Sequence, residues 1–151
     1  VLAQPGVRFV IVGLGINDIT FPGLPFTPPA EQVTAGRIID GYRTLVARAR
    51  RAGVRVILTT LGPFEGRVFT SGGLNIRQFT PERERLRQAV NTWIRTTDEV
   101  DGMADFDAAV RDPSRPTRLL PAYDSGDHLH VNDAGNAAQA AAIPLALFSH
   151  R

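Results

Sequence analysis

Near one end the chain reads Asp127-His128-Leu129-His130, followed by Asn132-Asp133-Ala134-Gly135 and an alanine-rich stretch. An acid three residues before a histidine, on a loop ahead of a helix, can accept the ring Nδ1–H. It then fixes one tautomer and stabilises the imidazolium as it forms. Asp127 and His130 are the acid–base half of a machine that activates a hydroxyl nucleophile. Near the other end, Gly15-Ile16-Asn17-Asp18 follows the apolar run at residues 8–12. Asn17 can offer its side-chain NH₂ to an oxyanion, and Gly15 permits the close backbone approach that such a hole requires. The serines are Ser71, Ser114, Ser125 and Ser149. Ser71, beside Gly72 and Gly73, is the one candidate stand-in nucleophile. It lacks a strand-to-helix turn to hold it, so it reads as a loop serine.

Each feature has a plainer reading. Asn17-Asp18 alone is a turn, since both types favour turns. Asp127 alone caps a helix, and His130 alone is a surface histidine. His128 and His130 with Asp127 supply three potential metal ligands; otherwise His128 points outward at a cleft mouth and His150 is exposed. Gly13 and Gly15 lack the further residues of a phosphate-binding loop.

The elements that must position these residues follow from pattern. Residues 8–12 form a β-branched apolar run ending at Gly13, a buried parallel strand. Residues 19–30 carry Pro22, Pro25, Pro28 and Pro29 and form a loop. Thr34 caps a helix to Ala52 whose apolar stripe is Ile38, Tyr42, Leu45, Val46 and Ala49. Residues 54–60 are a second strand. Residues 61–79, broken by Gly62, Pro63, Gly66, Gly72 and Gly73, form a long loop in which Phe64 and Phe69 are read as lining an acyl or sugar subsite. Thr80-Pro81-Glu82 opens a helix to Arg95, with Leu86, Val90, Trp93 and Ile94 inward. Residues 103–106 are a third strand and 111–126 another loop. Asn132 or Asp133 caps the last helix, which Pro144 kinks or restarts. Alternating strand and helix predict an α/β domain over residues 1–151, with a parallel sheet and right-handed crossovers. Ligands bind beyond the carboxyl ends of such strands, where Asn17, residues 62–80 and His130 all fall.

Composition narrows the function classes. The chain has 151 residues, 43% hydrophobic and 21% charged, the range of one globular domain. All 17 basic residues are arginine, yet the net charge is only +2. Arg83, Arg85 and Arg87 interleave with Glu82 and Glu84, which reads as a solvated helix face and not a nucleic-acid footprint. There is no cysteine and no apolar run of membrane-spanning length. The chain does not begin with Met, so its N-terminus says nothing about export.

Together these residues resemble the SGNH hydrolases, also called the GDSL family of esterases and lipases. Gly15-x-Asn17-Asp18 after a hydrophobic strand is similar to the family's third block, and Asp127-x-x-His130 before the last helix to its fifth. Residues 123–130 and 54–64 resemble its carbohydrate-ester and lysophospholipase-like branch. The resemblance implies a three-layer α/β/α, flavodoxin-like fold. It implies esterase chemistry on acetylated carbohydrates or lysolipids, with no cofactor and with Asp127, His130, Asn17 and Gly15 as site residues. By resemblance alone it favours secretion. The family's Gly-Asp-Ser block and its oxyanion glycine block have no counterpart in this sequence, and Val131 replaces a proline, which should loosen the loop slightly. The expectation is a C-terminal portion of an SGNH domain, inactive by itself, whose first strand would be an exposed edge. That edge would take the missing strands of the same domain or pair with a second copy. The alternative is a non-catalytic carbohydrate-binding or assembly module on the same scaffold.

Overall fold

A computed structural model describes residues 1–25, 27 and 33–149. Strand β1, Phe9–Val12, pairs in parallel with β2, Arg55–Thr59. Strand β5, Gly102–Ala104, pairs in parallel on the other side of β2, giving the order β1-β2-β5. Between β1 and β2 run the short helix α1, Ile16–Thr20, and the long helix α2, Ala35–Arg51. Between β2 and β5 come the hairpin of β3, Val68–Ser71, and β4, Leu74–Arg77, and then helix α3, Pro81–Thr96. After β5 follow α4, Phe106–Val110, a small hairpin of β6, Arg111–Asp112, and β7, Arg115–Leu119, and helix α5, Asp133–Ala141. The α/β class and the parallel sheet expected from the sequence are present. Pro28, Pro29 and His150 lie outside the described residues.

The core follows from helical and strand periodicity. Ile38, Tyr42, Val46 and Ala49 of α2 and Val90 and Ile94 of α3 pack on Val56 and Leu58 of β2. Leu45, expected in the α2 stripe, falls at its edge and is exposed. The opposite sheet face carries Phe9, Ile11 and Ile57 by alternation. There Arg55 lies 4.1 Å over the Phe9 ring, and Phe148 meets Phe9 edge-on at 5.0 Å. Ile11 is 41% exposed on the edge strand.

Several expectations need correction. Residues 61–79 are not irregular: β3 and β4 pair antiparallel around Gly72 and Gly73, with φ of 57° and 80°. Those angles are the two left-handed positions of a tight two-residue hairpin turn. Phe64 is fully buried against Phe79 and belongs to the core, not to a subsite. Residues 111–126 contain the β6–β7 hairpin, turned by Asp112 accepting from Ser114 N at 2.8 Å. Asn17-Asp18 is not a turn but lies in α1, which also takes Ile19 and Thr20 from the start of the loop expected over residues 19–30. Phe106 opens α4 and is not in the third strand.

The helix face bearing Arg87 is not solvated. Arg87 is 0% exposed and is enclosed by acceptors. Its Nε and Nη2 donate to Glu84 at 2.8 and 2.7 Å, and its Nη1 to Asp107 Oδ1 at 2.6 Å and to the Leu61 carbonyl at 2.7 Å. A buried guanidinium persists only with such complete pairing. Asn91 completes the clamp on Leu61, accepting from its N–H at 2.7 Å and donating to its carbonyl at 2.9 Å. The rim after β2 is therefore fixed from below.

Candidate active site

The Asn17 side is built by a strained turn. Gly15 has φ 116°, a backbone that a side-chain-bearing residue resists. A Cβ there would also sit 2.5 Å from the Tyr42 hydroxyl. That hydroxyl donates to the Leu14 carbonyl at 2.6 Å, so α2 pins the turn from which α1 starts. Burial, and then the charge of Asp18, pushes the Tyr42 phenol upward, so it remains a donor. Tyr42 also stacks on Trp93, 6.0 Å between centroids. With Ile19 and Thr20 turned into the core, helical phase leaves Asn17 exposed.

The His130 side is a closed loop. Asp124 and Val131 form an antiparallel bridge, Ser125 N donates to the His130 carbonyl at 3.0 Å, and Asn132 N donates to the Tyr123 carbonyl at 2.8 Å. Asn132 caps α5 by accepting from Gly135 N at 3.0 Å and also donates to the Ala122 carbonyl at 3.0 Å. A Cβ on Gly135 would lie 2.6 Å from Val131 Cβ, so α5 seats directly against the loop stem.

Inside the loop, Asp127 Oδ1 accepts from the backbone N–H groups of Leu129 and His130 at 3.0 and 2.8 Å. Its Oδ2 meets His130 Nδ1 at 2.6 Å. Arg67 Nη1 donates to the same oxygen at 2.7 Å. Partial burial pushes the Asp127 carboxyl up, but the His130 backbone and ring, the Leu129 N–H and the Arg67 charge outweigh it. The carboxyl is held well below the usual carboxylate range. An ionised carboxylate only accepts, so His130 Nδ1 carries the hydrogen in this contact and Nε2 is the ring nitrogen left facing away from Asp127. His130 and Asn17 line one cleft of about 350 Å³ with Gly13, Ile16, Thr59 and Gly62. The cleft opens at the carboxyl ends of β1 and β2. Gly15 does not line it but sets the turn that delivers Asn17.

A second carboxylate–imidazole pair, not singled out in the sequence, sits in the same loop. Asp124 Oδ2 meets His128 Nδ1 at 2.6 Å, and Asp124 Oδ1 accepts from Gly126 N and His128 N at 2.8 and 3.0 Å. His128 has φ 64° and its ring lies against Gly66, where a Cβ would come within 3.0 Å of it. His128 does not line the Asn17 cleft. Among the described residues, no three His, Cys, Asp or Glu side chains converge as a metal would require. Nor does any serine line the cleft: Ser71 is at the hairpin turn, and Ser114 and Ser125 bond within their own loops. Arg67 and Gln78, and the hydroxyl role of Tyr42 beyond its place in the apolar stripe, escaped the sequence reading because their partners lie far away in the chain; Asp124 escaped it although its partner is near. The Asp124-x-x-x-His128 spacing was the one local signal.

Similar proteins were found at two levels. A search of curated proteins gave no match. Among solved structures, a Bacteroides fragilis NCTC 9343 protein assigned as an acylhydrolase shares 20% identity at a TM-score of 0.65, over 93% of this chain and 61% of its own. A GDSL-like lipase from Bacteroides thetaiotaomicron VPI-5482 shares 16% identity at a TM-score of 0.64, over 93% and 62%. Axe2, an acetylxylan esterase from Geobacillus stearothermophilus, shares 24% identity at a TM-score of 0.60, over 95% and 60%. At these identities the likeness is one of fold, and this chain spans about three-fifths of the length of each structure, from 60% to 62%. The sequence itself matches the GDSL-like lipase/acylhydrolase family over residues 1–138, and the chain belongs to that family.

Proposed function

We propose that this chain supplies the acid–base and oxyanion parts of a serine esterase of the SGNH type, and that the nucleophilic serine lies outside residues 1–151. One observation carries the reading: an imidazole held by a carboxylate at 2.6 Å shares a cleft with the exposed Asn17. In the acylation step the serine oxygen bonds to the ester carbonyl carbon, and His130 Nε2 takes its proton. The carbonyl oxygen becomes an oxyanion and accepts from the Asn17 side-chain amide, with the backbone near Gly15 beside it. The imidazolium, stabilised by Asp127, passes the proton to the departing alcohol as the tetrahedral centre collapses. Water then repeats the sequence on the acyl-enzyme and regenerates the serine. None of these steps calls for a metal or organic cofactor.

The substrate class is a carboxylic ester, with acetylated carbohydrates and lysolipids as the two candidates. The structures of similar fold include both an acetylxylan esterase and a GDSL-like lipase, so both esters are carried into the test. The free side of β1 is proposed to receive the strand that carries the serine.

The test is hydrolysis of p-nitrophenyl acetate, acetylated xylo-oligosaccharide and a lysolipid by the product of the complete open reading frame that encodes this chain. Turnover that His130→Ala removes is the expected result. Turnover that survives His130→Ala defeats the mechanism. No turnover on any of these esters favours a binding module that kept the scaffold. Residues 1–151 alone should hydrolyse none of them.

A further inference from the structure

Asn17 and His130 stand at opposite ends of the chain, yet the chemistry above needs them held to within about 0.5 Å of a set relation. A continuous run of hydrogen bonds joins their supports. Thr20 ends α1, the helix that carries Asn17, and its carbonyl accepts from Gln78 Nε2 at 3.1 Å. Gln78 Oε1 accepts from Arg67 Nε at 3.2 Å. Arg67 Nη1 then donates to Asp127 Oδ2 at 2.7 Å, the oxygen that holds His130 Nδ1. Each side chain enters the run by one atom and leaves it by another, so the links do not compete until they reach Asp127 Oδ2.

The two middle residues are well seated for this task. They flank the β3–β4 hairpin at its base, where Gln78 N donates to the Arg67 carbonyl at 3.0 Å. Gln78 is 1% exposed, and its own carbonyl accepts from Arg83 Nη1 at 2.8 Å. Turning its amide away would strand the buried Thr20 carbonyl without a donor, which is unfavourable. Neither Gln78 nor Arg67 lines the cleft. What they offer is distance and direction, not contact with an ester.

The geometry points to Gln78 and Arg67 as positioning residues, a strut at the hairpin base that sets α1, with Asn17, against the Asp127–His130 pair. The inference rests on the roles proposed above for Asn17 and His130, but its test does not require turnover.

The experiment compares NMR spectra of the full chain and its variants. Gln78→Met removes both amide links at similar length. It should move both the Asn17 side-chain amide signal and the His130 ring signals, while Thr70→Ala, further along the hairpin, moves neither. Arg67→Lys keeps a cation for Asp127 but loses the Nε donor to Gln78, and should move the Asn17 amide two links away. Unmoved Asn17 and His130 signals in a folded Gln78→Met chain overturn the strut. Should Gln78→Met fail to fold, an unmoved Asn17 amide in Arg67→Lys does the same. In the serine-bearing enzyme, Gln78→Met should lower kcat about tenfold with KM held once rates are normalised to titrated active sites, a correction that removes any loss of folded protein. Moved signals together with no turnover by the product of the complete open reading frame defeat the esterase reading and leave the strut standing. Turnover with unmoved signals does the reverse.

Discussion

Two imidazoles are held by carboxylates at 2.6 Å within one short loop, and their surroundings separate them. His130 is exposed to the cleft that contains Asn17, while the His128 ring rests against Gly66. His130→Ala should therefore lower kcat of the serine-bearing enzyme by about 10³-fold or more, and His128→Ala should cost only a few-fold. Equal losses in a steady-state assay would place the base elsewhere. Asn17→Ala should cost about 10²–10³-fold in kcat with little change in KM, the usual price of one oxyanion donor. Gly15→Ala should destabilise the fold by about 2–3 kcal/mol in urea unfolding, from the left-handed backbone and the Tyr42 hydroxyl together. In a Tyr42→Phe background the same change should cost less, because the close oxygen is gone, and simple additivity would contradict that cause. At this scale the sequence was informative where a side chain's partner lies a few residues away, as for Asp127 and His130. Arg67, Gln78 and Tyr42 were opaque, because nothing local to them names Asp127, Thr20 or Leu14 as the partner.

Among the elements, the three sheet strands and the two long helices were legible from periodicity and caps. The β3–β4 hairpin was read as a loop although Gly72-Gly73 sits between two β-capable runs, a recognised turn signal. Leu74-Asn75-Ile76-Arg77 alternates apolar and polar, but Val68-Phe69-Thr70-Ser71 does not, which hid the pairing. The α3 face was misjudged for a different reason: charge was taken as exposure, whereas Arg87, Glu84, Asp107 and Arg95 satisfy one another inside. Asp105 links β5 to this network through Arg95 Nε at 2.8 Å and Thr60 Oγ1 at 2.8 Å. Burial pushes its carboxyl up, but Arg95, the Ala108 N–H and Thr60 prevail and lower it from 3.8 to about 2. The unfolded chain thus binds this proton at higher pH than the native one does. The contribution is fully present above about pH 4 and is lost as pH falls toward about 2. With solvent screening it amounts to about 1 kcal/mol. Asp105→Asn should be less stable than the parent at pH 7, and the gap should close near pH 2 in urea unfolding. A gap independent of pH would refute the assignment.

For the molecule as a whole, β1 stands at the sheet edge with Ile11 exposed, and the chain covers about three-fifths of the related structures, 60% to 62%. An apolar edge strand is a template for pairing. Residues 1–151 alone should associate as concentration rises in analytical ultracentrifugation, and the complete open reading frame should not do so through this edge. A well-behaved monomer of residues 1–151 at high concentration would count against the proposal that β1 takes a further strand.

The β3–β4 hairpin has a rigid root and an open end. Arg67 and Gln78 fasten the root, while Leu74 at the turn is 54% exposed. Lengthening or recolouring the turn therefore leaves the root's bonds intact. Over evolutionary time such a hairpin can be rewritten at its end, where loops tolerate insertion. Descendants could gain new surface beside an unchanged acid–base pair, with variation confined to one end and constraint to the other.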